Sequence, residues 1–319
     1  MDLQEATTLI TGVTGFAGFH LANFLLQQGA RNLHGLSRKL SPVIIPEVSL
    51  HQTDFKDLSN LTAILERIKP QFIYHLAGFS QTGKSFENET ASWEGNFHAT
   101  QNLIQAVLNT KLKPRILFTG SGLIYGQANW QDEFKTELSE LRPESPYACS
   151  KAAADLYCYQ CYKNHGLEIV RARPFNHIGP GQSSDFAVPN FCRQIALIEN
   201  GKLPPLLETG NLDSARDFTD VRDMVRGYSL LMRHGSAGET YNLASGKNQI
   251  IRRVLENLVS LSKNQNIKIN EIQDKNRPAE KFPIQVDIQK FQKCTNWNTE
   301  IPLQKTLADT LEYWRLKTI

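Results

Sequence analysis

Residues 7–18 read Thr7-Thr8-Leu9-Ile10-Thr11-Gly12-Val13-Thr14-Gly15-Phe16-Ala17-Gly18, an apolar, β-rich run that stops at a glycine and continues, over residues 17–29, as apolar positions at helical spacing up to Gly29. The pattern predicts strand, glycine turn, helix. Glycines spaced GxxGxxG let a backbone turn tightly and approach a pyrophosphate, whose charge is met by free N–H groups and the positive end of the helix. Three glycines alone say little; their place between the first strand and the first helix makes them a dinucleotide-binding turn.

Outward from this turn, strand and helix patterns alternate. Further strands are predicted at Asn32 to Leu36, near Leu50, at Phe72 to Ala77, over residues 115–121 (RILFTGS) and over residues 167–174 (LEIVRARP), with helices at residues 61–68, 96–109 and 147–165 and a polar loop from Gln127 to Pro146. Such alternation implies a parallel sheet covered on both faces. After Pro174 the regularity ends, although Glu239 to Ser245 (ETYNLAS) has the character of a strand that rejoins the sheet. The fold class expected is α/β, a Rossmann-type doubly wound parallel sheet with a smaller, interleaved C-terminal substrate domain. Residues 1–173 would form the first, with 219–246 returning to it, and 174–319 mainly the second.

A formal charge of +3 on 319 residues, with Lys and Arg scattered, argues against a nucleic-acid partner. The five cysteines are odd in number, and the CxxC-like pair Cys158/Cys161 lies in a helical stretch with no second pair at zinc-ligand distance, so reduced thiols and no metal are expected. The N-terminal residues have no basic region before an apolar run, and no stretch is long and apolar enough for a membrane span. A cytoplasmic protein is expected.

At the end of the second strand, where NAD-binding proteins place an acid, the chain has Ser37-Arg38-Lys39. A guanidinium pairs well with a 2′-phosphate, so Arg38 points to NADP(H). Further on, Ser145-Pro146-Tyr147-Ala148-Cys149-Ser150-Lys151 sets Tyr147 and Lys151 four residues apart on one helix face. A tyrosine hydroxyl is a poor acid or base at neutral pH, and a nearby ammonium lowers its pKa. Ser121, at the end of a predicted parallel strand, is placed to hydrogen-bond the same carbonyl.

The glycine turn, His75-Leu76-Ala77-Gly78, Asn96, the Ser121 to Gly126 segment and Tyr147/Lys151 together resemble the extended short-chain dehydrogenase/reductases that modify nucleotide sugars. Residues 173–182 (RPFNHIGPGQ) and 216–223 (RDFTDVRD) resemble the subgroup of GDP-mannose 4,6-dehydratases and GDP-4-keto-6-deoxy-mannose reductases, the reductases more closely. The resemblance implies that Gly12, Thr14, Gly15, Phe16, Ala17 and Gly18 hold or flank the cofactor pyrophosphate and that Arg38 takes its 2′-phosphate. Asp54 and Phe55 would face the adenine, and Leu76, Ala77, Gly78, Asn96, Thr119, Gly120, Pro174 and His177 would line the path to the nicotinamide. Ser121, Tyr147 and Lys151 would be catalytic, with Lys151 also on the nicotinamide ribose. Ser80, Asn176, Val188, Arg193, Arg216, Arg277 and Glu280, with Ser121, would hold the nucleotide-sugar substrate. A homodimer through the helices at 96–109 and 147–165 is also implied.

Dehydratases of this resemblance carry an acid two positions after the catalytic hydroxyl. Here that position is Leu123, which has no proton to donate to a leaving hydroxyl. Reduction of a 4-keto sugar therefore fits better than dehydration. A 4-epimerase needs the same Ser, Tyr and Lys and stays open, and a cofactor-binding sensor without turnover is the non-enzymatic alternative.

Overall fold

A computed structural model describes residues 4–38, 45–127, 134–272 and 284–319. Seven strands form one parallel sheet: β1 (Thr8–Thr11), β2 (Leu33–Ser37), β3 (Val48–Gln52), β4 (Phe72–His75), β5 (Arg115–Thr119), β6 (Ile169–Pro174) and β7 (Thr240–Leu243). Their order is β7-β6-β5-β4-β1-β2-β3, so the direction of winding reverses between β1 and β4. Ligands of open α/β sheets sit at such a reversal, at the carboxyl ends of the strands. Both β1 and β4 are buried along their whole length, as a sheet covered on both faces requires.

Helices α1 (Phe16–Gln27), α2 (Leu58–Ile68), α3 (Ala99–Thr110), α4 (Pro146–His165), α5 (Ala187–Glu199), α6 (Val221–His234), α7 (Ile251–Ser260), α8 (Gln289–Thr295) and α9 (Leu303–Lys317) complete the frame. Local chemistry sets several boundaries. The Asp57 carboxylate accepts the Asn60 N–H at 2.9 Å to start α2, and the Ser145 hydroxyl accepts the Ala148 N–H at 3.1 Å, with Pro146 at the first position of α4. The helix expected over residues 96–109 begins earlier. A short helix at Glu89–Trp93 runs through a π turn at Glu94–His98 into α3, so Asn96 lies in the π turn rather than at a helix start.

The strand-like segment at 239–245 does enter the sheet: β7 pairs in parallel with β6, Tyr241 opposite Ala172. Apolar side chains from both sheet faces form two clusters, and a third, separate cluster joins α5, α7 and α9 through Val188, Phe191, Leu255, Leu307 and Leu311. Short strand pairs that the periodicity did not reveal connect this part: His177–Ile178 with Thr219–Asp220, Ala215–Asp217 with Asn248–Ile250, and Leu206–Thr209 with Lys268–Glu271. Two to four residues per strand, in a stretch without regular alternation around them, are too few to leave a period in the sequence.

Candidate active site

The glycine turn lies at the carboxyl end of β1, against the end of β4. Gly12 has φ +69°, and a Cβ there would sit 2.9 Å from the Ala77 backbone; a Cβ on Gly18 would sit 2.1 Å from the Gly12 carbonyl oxygen. These two glycines are required by the packing of the turn on itself and on β4. Gly15 is different, since its Cβ would stand 3.1 Å from the Gly12 oxygen, so its lack of a side chain leaves room mainly on the outer face of the turn. No side chain caps α1, whose N-cap is Gly15, and its first turn holds no acid. That is the donor array an incoming diphosphate needs. Sequence reasoning overlooked Gly35, which belongs to the same cradle: its Cβ would fall 2.4 Å from Val13 Cγ1. A glycine inside a predicted strand was the available signal.

The other expected cofactor residues surround this cradle. Thr14 Oγ1 lies 3.3 Å from Ser37 Oγ, tying the turn to the end of β2. Arg38 follows at that end with its side chain exposed, while its carbonyl accepts from Gln52 Nε2. Lys39 lies outside the described residues. Asp54 is exposed and accepts the Lys56 N–H; the Phe55 ring packs on His75, 5.8 Å between centroids. Phe16 stacks on His177 at 5.9 Å with the rings 5° from parallel. Ala17 packs partly against the core under α1.

His75, which ends β4, is buried and bonded through both nitrogens. Thr100 Oγ1 donates to the Asn96 carbonyl at 2.6 Å, so it accepts from His75 Nε2–H at 2.9 Å; Thr11 Oγ1 accepts the Ala77 N–H at 3.1 Å and donates to Nδ1 at 2.8 Å. Burial, with the Lys151 charge adding to it, lowers the His75 pKa to about 3, so the ring stays neutral. Asn96 continues the chain of bonds. Its Oδ1 accepts the Phe79 N–H at 2.9 Å, its Nδ2 donates to Ser150 Oγ at 3.0 Å, and Ser150 Oγ donates to the Tyr147 carbonyl at 2.9 Å.

Ser121, Tyr147 and Lys151 meet at the carboxyl end of β5, and all three are buried. Ser121 caps a 3₁₀ turn at Gly122–Tyr125, its Oγ accepting the Leu123 N–H at 3.2 Å. The Ser121 hydroxyl stands near enough to Tyr147 to favour its ionised form. Lys151 Nζ donates to the Thr119 carbonyl at 2.9 Å and lies 3.2 Å from where a Cβ on Gly78 would be. Gly120 N–H donates to the Ala172 carbonyl at 2.7 Å, holding this end of β5 against β6, which closes at Pro174. The Thr119 hydroxyl oxygen is buried with no partner, a polar group available to a ligand.

The electrostatics depart from the simple sequence expectation. Burial raises the Tyr147 pKa, and the neighbouring Ser121 hydroxyl is what opposes it; Lys151 is not among the causes. Burial also lowers Lys151 to about 8. Tyr147 is thus a neutral phenol, a proton donor placed beside a second hydroxyl, which suits transfer of a proton onto a carbonyl oxygen.

The substrate candidates are more dispersed. Ser80 is exposed beyond β4, and Asn176 is half-buried with its carbonyl taken by the Thr219 N–H at 3.0 Å. Val188 is 1% exposed in the core of α5, α7 and α9, so its side chain does not reach a ligand and only its backbone in the first turn of α5 remains for that use. Arg193 is exposed on α5. Arg216 is half-buried, with Nη1 donating to the Ala215 carbonyl at 2.9 Å. Arg277 and Glu280 lie outside the described residues. In residues 216–223 most of the charge is spent internally: Asp220 binds the Arg222 guanidinium at 2.9 and 2.7 Å and accepts from Thr306, and Asp223 accepts the Glu300 and Ile301 N–H groups, both at 2.9 Å.

The sheet order, glycine turn and clustered Ser, Tyr and Lys are those of the extended short-chain dehydrogenase/reductases, and the chain is an oxidoreductase of that class. Within it, the chain belongs to the GDP-mannose 4,6 dehydratase family, whose model matches residues 9–310. It is 32% identical over 308 residues to the GDP-6-deoxy-D-mannose reductase of Pseudomonas aeruginosa, with 96% of each chain covered. It is 29% identical over 269 residues to a GDP-mannose 4,6-dehydratase of Vibrio cholerae, covering 79% of this chain and 71% of that one. The structure of RMD from Pseudomonas aeruginosa complexed with NADPH superposes with a TM-score of 0.84 at 30% identity, covering 98% of this chain and 99% of the other.

Proposed function

We propose that this enzyme uses NADPH to reduce the C4 ketone of a nucleotide-linked 4-keto-6-deoxyhexose, converting GDP-4-keto-6-deoxy-D-mannose to GDP-D-rhamnose for surface-polysaccharide synthesis. The observation that carries this reading is the buried Ser121, Tyr147 and Lys151 group with Leu123, two residues after the serine, in place of an acid. The likeness to the Pseudomonas reductase and to its NADPH complex supports it.

The fit of NADPH rests on the cradle itself: Gly12 and Gly18 packed without space for side chains, an uncapped α1 and the unpartnered Thr119 hydroxyl. Gly12, Gly15, Gly18 and the first turn of α1 would hold the pyrophosphate, Arg38 the 2′-phosphate, and Lys151 and Asn96 the inner ribose. When bound, NADPH supplies the hydride. Tyr147, kept neutral by burial, gives its proton to the C4 oxygen, and Ser121 donates a hydrogen bond to the same oxygen as charge develops there. Leu123 offers no proton for elimination at C6. Arg193 and Arg216 would hold the diphosphate, joined by Arg277, with Glu280 near the nucleoside. Residues 1–173, with 219–246 returning to them, form the cofactor unit in this reading, and 174–319 supply mainly the substrate unit. Leu156 and Tyr159, exposed on α4, would belong to a homodimer interface.

The test runs two reactions in parallel, GDP-mannose with NADP⁺ and GDP-4-keto-6-deoxy-D-mannose with NADPH, with products identified by NMR. Stoichiometric NADPH consumption in the second alone is expected. Release of ketosugar from GDP-mannose without NADPH oxidation in the second reaction identifies a dehydratase, and isomerisation without net consumption an epimerase; either sinks the reading.

A further inference from the structure

Two separate elements carry the candidate catalytic groups. Ser121 opens the 3₁₀ turn after β5, and Tyr147 and Lys151 stand on the first turns of α4. Their relative position has to be set by something that touches both. Arg173, a buried residue of β6, does so. Its Nε and Nη2 grip the Asp155 carboxylate at 3.1 and 2.9 Å, and Asp155 lies on α4 four residues after Lys151 and is fully buried. Its Nη1 donates to the Tyr125 hydroxyl at 2.8 Å, and Tyr125 lies four residues after Ser121, at the end of the serine's own turn. The Tyr125 hydroxyl in turn donates to Asn242 Oδ1 at 2.8 Å on β7. The guanidinium also lies over the Tyr125 ring, 5.2 Å from its centroid.

Arg171 already supplies Asp155 with a charge partner at 2.6 Å, so charge balance alone does not call for a second guanidinium in this interior. A planar fork with two edges does what a point charge does not: one edge fixes the carboxylate on the helix, and the remaining nitrogen fixes the phenol on the turn. Tyr125 carries no candidate role in cofactor or substrate binding.

We propose that Arg173 and Tyr125 are positioning residues that hold the Ser121 turn at a set distance from the Tyr147/Lys151 face of α4, so that both hydroxyls reach one carbonyl oxygen. The inference rests on the reductase reading of the site.

The test is a double-mutant cycle on kcat for ketosugar reduction, with Tyr125→Phe made in the native and in the Ser121→Ala backgrounds. The NADPH dissociation constant and thermal midpoint are measured for each variant. A misplacement of order one ångström costs up to about a hundredfold, so Tyr125→Phe should lower kcat ten- to a hundredfold in the native background. In the Ser121→Ala background it should change kcat less than about twofold, because the group being positioned is gone. NADPH affinity should be unchanged in both. Arg173→Lys, which keeps the charge and loses the fork, should show the same dependence on Ser121. Equal losses in the two backgrounds, or an unchanged kcat in Tyr125→Phe, overturn the positioning role. If Ser121→Ala itself leaves kcat intact, the site reading fails first, and the inference with it.

Discussion

The crevice at the ends of β1, β4 and β5 and the region built after Pro174 use their polar residues in opposite ways. In the crevice, buried polar groups bond to one another in a chain from His75 through Asn96 and Ser150 to the Tyr147 carbonyl, and the Thr119 hydroxyl nearby is buried without a partner. In the later region the most charged stretch, residues 216–223, turns out to be framework: Asp220, Arg222 and Asp223 tie α6 to α9 and to the loop at residue 300, and Arg216 alone among its arginines keeps a candidate substrate role. A motif dense in charge therefore does not count as a motif dense in ligand contacts. What matters is which charges are held in carboxylate–guanidinium ties between helices, as Asp220 and Arg222 are.

The largest effect is expected where the crevice ends. Tyr147→Phe should lower kcat by about 10²–10⁴ while leaving NADPH affinity intact, measured by stopped-flow absorbance and calorimetry. A loss of both together would mean that Tyr147 is framework too. In the charged stretch, Arg216→Ala should raise KM for the nucleotide sugar about ten- to a hundredfold, as expected for loss of a charge-assisted hydrogen bond. Arg222→Ala should instead lower the thermal midpoint with KM little changed, since its guanidinium is held by Asp220 and Asp309. If the two variants exchange phenotypes, the assignment of inner and outer charges is reversed.

A smaller effect is expected at the exposed edge of the cradle. Arg38→Ala should remove most of the preference for NADPH over NADH, about tenfold by titration calorimetry; an unmodified enzyme that binds NADH as tightly refutes the role. The smallest change concerns pH. Burial holds Lys151 near 8, so its charge is present below that value and lost above it. Accordingly kcat/KM for NADPH, which reports the free enzyme, should fall as pH rises through about 8, and Lys151→Arg should move that limb upward.

The contrast also explains what was legible in the sequence. The Rossmann sheet was readable because each strand and helix carries its own period and because the glycine turn is partly demanded locally, Gly18 by the Gly12 carbonyl six residues before it and Gly12 by its own positive φ. Ser121, Tyr147 and Lys151 were readable because strand ends and helix spacing place them. The ties through His75, Asn96 and Arg173 were not, because their partners lie far away in the chain: His75 bonds Thr11 across 64 residues, and the Tyr125 held by Arg173 bonds Asn242 across 117. Val188 shows the limit from the other side: its place in a motif says nothing about which way the side chain turns, and it turns into the core. The rise of the Tyr147 pKa was hidden for a similar reason, since desolvation depends on everything packed around the hydroxyl and not on the lysine four residues along.

The π turn at Glu94–His98 has a consequence for the way this gene can tolerate change. A π turn accommodates one more residue than the α-helix on either side of it would, and Asn96 sits inside it with one amide end on Phe79 and the other on Ser150. Deleting a single codon here would let the helix close into regular α form and rotate Asn96 by about 100° away from both partners. Substitutions at the exposed His98 leave that geometry alone. Natural variants of the enzyme should thus differ freely in the identity of such outward residues while keeping the number of residues between Trp93 and Ala99 constant.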